Sequence, residues 1–193
     1  MSDPTTSPVE QQRRALLQSA AGLAMAGLST DAAVAALPAP PPGRAGDFDF
    51  LAGNWKINHR RLKKAGTDDW DVFKGEATCW TILGGVGSVE ELRIPERGFS
   101  GMGLRLLDLE KKLWSDFWVN GKSGVLTTPG TTGGFDKGVG TFSAEDKDAN
   151  DKPILVRGVW DRITPTSCRW HQASSSDGGR TWAADWLMDW TRA

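Results

Sequence analysis

The side chains able to do chemistry in this chain of 193 residues are few, and most stand among tryptophans. In an extended segment alternate side chains share a face, so Trp55, Ile57, His59 and Arg61 fall on one side of a strand. Trp114, Asp116, Trp118 and Asn120 do the same further on. A polar group among inward tryptophans is either paired there or bathed in water inside a cavity. The His59 imidazole, with an ordinary pKa of about 6.5, suits a donor, an acceptor or a general base. Asp116 is a second candidate base, and Arg61 could hold an anion. The plainer role for His59 is a hydrogen-bonded wall residue.

Other constellations lead nowhere. His59, His171, Cys79 and Cys168 are too scattered for a zinc or iron–sulfur site. Gly121-Lys122-Ser123 ends like a phosphate loop, but position 116 is Asp where the leading glycine belongs. Ser123, Ser174 and Ser175 lie in no nucleophile elbow. Glu90 and Glu91, adjacent on a strand, face opposite sides and cannot act as a carboxylate pair with each other. The acidic stretch 146–151 lacks calcium-loop spacing and reads as a hairpin tip.

The elements that must position these residues are strands. From Trp55 onward apolar and polar residues alternate, with turn residues every eight to twelve positions, which predicts an all-β sandwich or barrel. Expected strands are 55–63, 70–83, 88–94, 100–108, 113–120, 124–127, 133–136, 139–144, 154–164, 167–174 and 181–192. One helical turn is expected at 47–52, with Asp47 as its cap. In the last strand Trp182, Ala184, Trp186, Met188 and Trp190 are expected inward, opposite Ala183, Asp185 and Asp189. The reading is a single antiparallel up-and-down barrel of about eight to ten strands, with room for one small ligand. Cys79 and Cys168 are either a disulfide or two small buried apolar groups.

Gly53-Asn54-Trp55 at the start and Trp190-Thr191-Arg192 at the end resemble the calycin superfamily of lipocalins and fatty-acid-binding-like proteins. The resemblance implies that Trp55, with Gly53, plugs one end of the barrel and that Arg192 packs over the indole, a cation–π contact of about 0.5–2 kcal/mol. The run Phe48-Asp49-Phe50-Leu51-Ala52-Gly53-Asn54-Trp55 also resembles bacterial proteins of the DUF1579 type. Gly84-Gly85-Val86-Gly87, Ile163-Thr164-Pro165-Thr166-Ser167 and the 174–179 turn share that likeness. It covers Asp47 to the C-terminus and implies a fold, not a chemistry. Ser175-Ser176-Asp177-Gly178-Gly179-Arg180-Thr181-Trp182 resembles the Asp-box of sialidases, read here as turn architecture. Nitrobindin-like haem barrels bind iron through a late-strand histidine; His171 stands near such a position, but alternation points it outward. No cofactor is expected otherwise.

The N-terminal part supplies an address. Arg13-Arg14 precedes an apolar stretch, Ala15 to Leu28, then the small-residue run Ala32 to Ala36 and the prolines 38–42. This resembles a twin-arginine export signal, which implies a translocase partner and a periplasmic or secreted location. The apolar stretch is too short and too interrupted for stable membrane insertion. The domains expected are a signal peptide at 1–35, a Pro/Ala/Gly-rich linker at 36–46 and the barrel at 47–193. The whole chain carries a formal charge of −1, so nothing in it suits a nucleic-acid partner.

Two functions follow. The first is a module binding a small hydrophobic or aromatic molecule among Trp114, Trp118, Trp160, Trp170 and Trp186, oriented by His59, Arg61, Asp116 and Gln172. The alternative is a small barrel enzyme, an isomerase, cyclase or hydrolase, with His59 or Asp116 as general base.

Overall fold

A computed structural model of the chain describes residues 37–193, so the expected signal peptide lies outside the described residues. Ten antiparallel strands follow one another around a closed barrel. They are β1 (Gly53–Leu62), β2 (Trp70–Ile82), β3 (Gly87–Ile94), β4 (Phe99–Asp108), β5 (Leu113–Asn120), β6 (Thr131–Asp136), β7 (Val139–Lys147), β8 (Pro153–Asp161), β9 (Ser167–Ser175) and β10 (Ala183–Arg192). The barrel closes where β1 meets β10, pairing Trp55 with Arg192, His59 with Met188 and Arg61 with Trp186. Closure gives every strand a neighbour on both sides, where an open sheet would leave two exposed edges.

Because the strands run alternately up and down, the two ends of the barrel differ. The connections 83–86, 109–112, 137–138 and 162–166 lie at one end, and those at 63–69, 95–98, 121–130, 148–152 and 176–182 at the other. The segment before β1 fills the first end. Its 3-10 turn, Asp49–Leu51, drops Phe48 and Leu51 into the interior, where they are 2% and 0% exposed. Phe48 meets Trp114 and Phe135 edge-on at 5.0 Å, and Phe50 packs edge-on to Trp160. Trp55, Trp114, Trp160 and Trp190 are all buried to within 1%. Truncating a ring of this kind to Ala costs about 3–5 kcal/mol.

The plug is tied down by polar contacts as well as area. The Trp55 Nε1–H donates to the Leu51 carbonyl at 2.7 Å. Arg192 lies over the Trp55 ring at 3.9 Å and donates to the carbonyls of Phe50 (2.8 Å), Ala52 and Pro165. Gly53 makes this possible: its φ is +119°, and a Cβ would stand 2.6 Å from Arg192 Nη1. Of the expected linker, Pro41 lies against Gly134 of β6, and the Gly43 amide donates to Lys112.

Four expectations need correction. Asp47 does not cap the turn, whose flanking residue Phe48 makes no side-chain bond; its carboxylate instead accepts from the Arg44 amide and from Trp114 Nε1 at 3.0 Å. Residues 124–127 form no strand, only a single bridge between Leu126 and Val119. The strand expected to reach Thr164 ends at Asp161, because Arg162 turns to a φ of +53°. The fourth concerns β10. A bulge between Ala184 and Trp186 shifts the register, so Ala184 pairs with outward Ala173 while Trp186 pairs with inward Gln172. The alternation therefore inverts, Trp182 and Ala184 leave the inner face, and Asp185 joins it.

The Asp-box segment is turn architecture. Asp177 accepts from Ser175, from the Thr181 amide and from the Thr181 hydroxyl, and Trp182 Nε1 donates to Gly179. Trp182 rests on the outer surface under the Arg157 guanidinium, 4.0 Å away. Cys79 and Cys168 are free and buried. No helix among the described residues is long and apolar enough to cross a membrane.

Candidate functional site

The side chains expected to share one cavity are spread along the barrel axis, with Trp118, Trp170 and Trp186 packed against the same buried cluster that holds Trp114 and Trp160. Trp114, Trp160 and Asp116 belong to the plugged half. His59, Arg61, Trp118, Trp170, Gln172 and Trp186 belong to the other. The reason is strand direction: β1 leaves the plug at Gly53, so His59 and Arg61 arrive near the far end, whereas β5 begins at the plug with Trp114.

In the plugged half, Trp114 and Trp160 are taken up by Phe48, Phe50 and Trp190. Above them sits an ionic group of Asp116 with Arg105, which the sequence did not single out, and Glu90, weighed there only as a partner of Glu91. Arg105 donates to Glu90 at 2.5 Å, and its Nε lies 3.5 Å from Asp116. The guanidinium is 5.2 Å from the Phe48 ring and 5.3 Å from that of Trp160. One cation thus faces two carboxylates in a desolvated interior. Burial raises Asp116 to about 6, against the attraction of Arg105 and with the repulsion of Glu90. Arg105 Nε and Nη1, Trp160 Nε1 and Trp190 Nε1 have no hydrogen-bond partner. Glu90 was findable as the member of the Glu90-Glu91 pair that shares the face of Leu92.

The half away from the plug is built around His59. Its ring stacks on Phe73 at 4.5 Å and 8°. Arg97, from the 95–98 connection, lies over the Phe73 ring, 3.5 Å from its centroid. His59 Nδ1 accepts from Trp186 Nε1 at 3.2 Å, which leaves the proton of the neutral imidazole on Nε2. Nε2 sits in the notch over Gly75, where any Cβ would collide with it, and has no partner. Burial, helped by the Arg97 charge, lowers His59 from 6.5 to about 4. The imidazole is therefore neutral near pH 7 and a weak proton acceptor.

Around this core stand partly exposed groups. Arg61 lies 5.2 Å over the Trp186 ring, and Trp170 meets Trp186 edge-on at 5.9 Å. Asp185, turned inward by the bulge, accepts from the Gln172 amide at 3.2 and 3.3 Å, and burial raises it to about 6. Trp118 lies against Gly101 on the far side of the ring of strands. His59 and Asp116 are not brought together: each has its own electrostatic partners, Arg97 for the first and Arg105 with Glu90 for the second. His171 faces outward, 3.6 Å from Asp161. Among the described residues no three His, Cys, Asp or Glu side chains gather as a metal site would require.

No family model and no curated protein matches this chain. Among solved structures, a redesigned β-barrel is similar at 10% identity with a TM-score of 0.41, over 78% of this chain and 98% of that one. A protein of unknown function from the DUF3598 family of Nostoc punctiforme is similar at 12% identity and TM-score 0.39, over 75% of this chain and 48% of its own. EF1p2_mFAP2b, solved bound to DFHBI, is similar at 11% and 0.39, over 77% of this chain and 98% of that one.

Proposed function

We propose that this barrel holds a small, partly apolar or aromatic molecule in the half away from the plug. One contrast carries the reading. Trp55, Trp114, Trp160 and Trp190 of the plugged half are buried to 0–1%, whereas inward Arg61, Trp118, Trp170, Gln172, Asp185 and Trp186 all keep part of their surface exposed. Aromatic faces with a few convergent polar groups, open at one end and sealed at the other, are what a small-ligand site needs. Trp114, Trp160 and Asp116 then support the floor of the site and do not line it. The enzymatic alternative finds less support, since the His59 pKa near 4 leaves little basicity at neutral pH and Asp116 is engaged with Arg105.

Titrating the chain with small aromatic molecules while following tryptophan emission tests the reading. Saturable quenching is expected, and it should weaken in Trp186→Ala. An emission spectrum that no probe alters would overturn it.

Kinship with DUF1579-type and calycin-like proteins is proposed on the Phe48-to-Trp55 run and the Trp55–Arg192 stack. Export through the twin-arginine route to the periplasm is proposed on Arg13-Arg14 and the segment that follows. Fractionating cells that express the full chain and an Arg13→Lys/Arg14→Lys variant tests this. The double variant should stay in the cytoplasmic fraction; equal export of both refutes the route.

A further inference from the structure

We infer that the molecule held in the half away from the plug is an organic anion, with a flat apolar body against Trp186 and a carboxylate or similar oxyanion on the Arg61 guanidinium. The inference rests on the ligand-binding reading above and names the class of ligand.

Arg61 differs from the other arginines of the interior and its rim. Arg105 is committed to Glu90, Arg97 to Asp71 at 2.8 Å, and Arg192 to three carbonyls of the plug. Arg61 makes no hydrogen bond and no ion pair within 4 Å among the described residues. Its guanidinium lies over the face of Trp186. The two carboxylates whose charge reaches it are already held: Asp185 by Gln172 and Asp71 by Arg97. A half-buried guanidinium presents up to five N–H donors in a planar fork, and its natural complement is a two-oxygen anion. Desolvation disfavours its charge, so a counter-charge supplied from outside would be welcome.

The stacking geometry fixes the rest of the ligand. Trp186 carries the guanidinium on its ring, and Trp170 stands edge-on beside it. A carboxylate attached directly to an aromatic body can meet the fork while the body covers indole surface. A cationic ligand would have to approach Arg61 and Arg97 together, and the carboxylates that oppose their repulsion, Asp185 and Asp71, are already bonded to Gln172 and Arg97.

Three probes of one shape decide the matter: 2-naphthoate, 2-naphthamide and 2-naphthylmethylammonium, each titrated calorimetrically into the full chain at pH 7. Naphthoate should bind about tenfold or more tighter than either of the others, the factor that 1.4 kcal/mol gives. Arg61→Gln should bring naphthoate down to the level of the amide, and Arg61→Lys should keep part of the difference. If the amide or the ammonium compound binds as tightly as naphthoate, the anion assignment falls while the ligand-binding reading stands. If none of the three binds, both fall.

Discussion

Replacing Asp116 by Asn should change how stability depends on pH more than it changes the fold. The carboxyl is raised from 3.8 to about 6 because desolvation and Glu90 outweigh the attraction of Arg105. A raised carboxyl pKa means that the native state holds a proton which the unfolded chain has already lost. Its contribution is therefore fully present below about pH 4 and is lost as pH rises through 6. Two pKa units correspond to about 2–3 kcal/mol at 1.36 kcal/mol per unit. Asn imitates the protonated acid and has nothing to lose. Measured against the wild type, Asp116→Asn should thus gain about 2–3 kcal/mol on going from pH 4 to pH 7. In a domain of this size that is roughly 5–10 °C in Tm. The comparison must be a difference, because Asp185 and His59 titrate in the same window. Urea denaturation of both proteins at pH 4 and pH 7, followed by tryptophan emission, gives the number. A difference between the two proteins that stays constant within about 0.5 kcal/mol across that range would show that Asp116 is not a desolvated acid, and the account of the buried ionic group would fail.

His59 works in the opposite sense. Its pKa is lowered to about 4, so its contribution is complete above 6.5 and is lost on acidification; His59→Phe should remove about 3 kcal/mol of the acid-induced loss between pH 7 and pH 4, read by the same denaturation series. Gly75→Ala drives a methyl into His59 Nε2 and should cost about 1–3 kcal/mol, with a change in Trp186 emission as the imidazole shifts. Arg192→Ala should cost about 2–4 kcal/mol in thermal unfolding, since it leaves the Phe50 and Ala52 carbonyls without their donor. The Cys79 and Cys168 thiols are buried, the latter pushed up to about 12, so a thiol reagent should label neither in the native protein and both after denaturation; prompt native labelling would contradict the packing described.

Strand order and most strand limits were legible because period-two alternation and turn residues are local signals: 113–120 reads the same in sequence and structure. Asp185 shows where such reading stops. Nothing local marks the bulge between Ala184 and Trp186, since it arises from how β10 registers against β9, and one slipped residue sends Trp182 outward and Asp185 inward. Arg105 was illegible for a different reason. A charged residue at an inward position of β4 reads as an argument for solvent until Glu90 on β3 and Asp116 on β5 are known to flank it. The split of the tryptophans between floor and mouth depended on strand direction, which the sequence implies only once the barrel is assumed. The plug was easier, because Trp55 and Arg192 lie at the two margins of the folded region and closure must bring those margins together.

The seam between β1 and β10 also governs how the chain can reach this state. Its partners are the first and last strands of the barrel to leave the ribosome, so the nascent polypeptide carries two bare margins, at Gly53–Leu62 and at Ser167–Ser175, until β10 has been made. Such contacts between distant parts of a chain form slowly, and unsealed margins invite intermolecular pairing. Removing β10 should therefore yield an insoluble product and not a smaller cylinder.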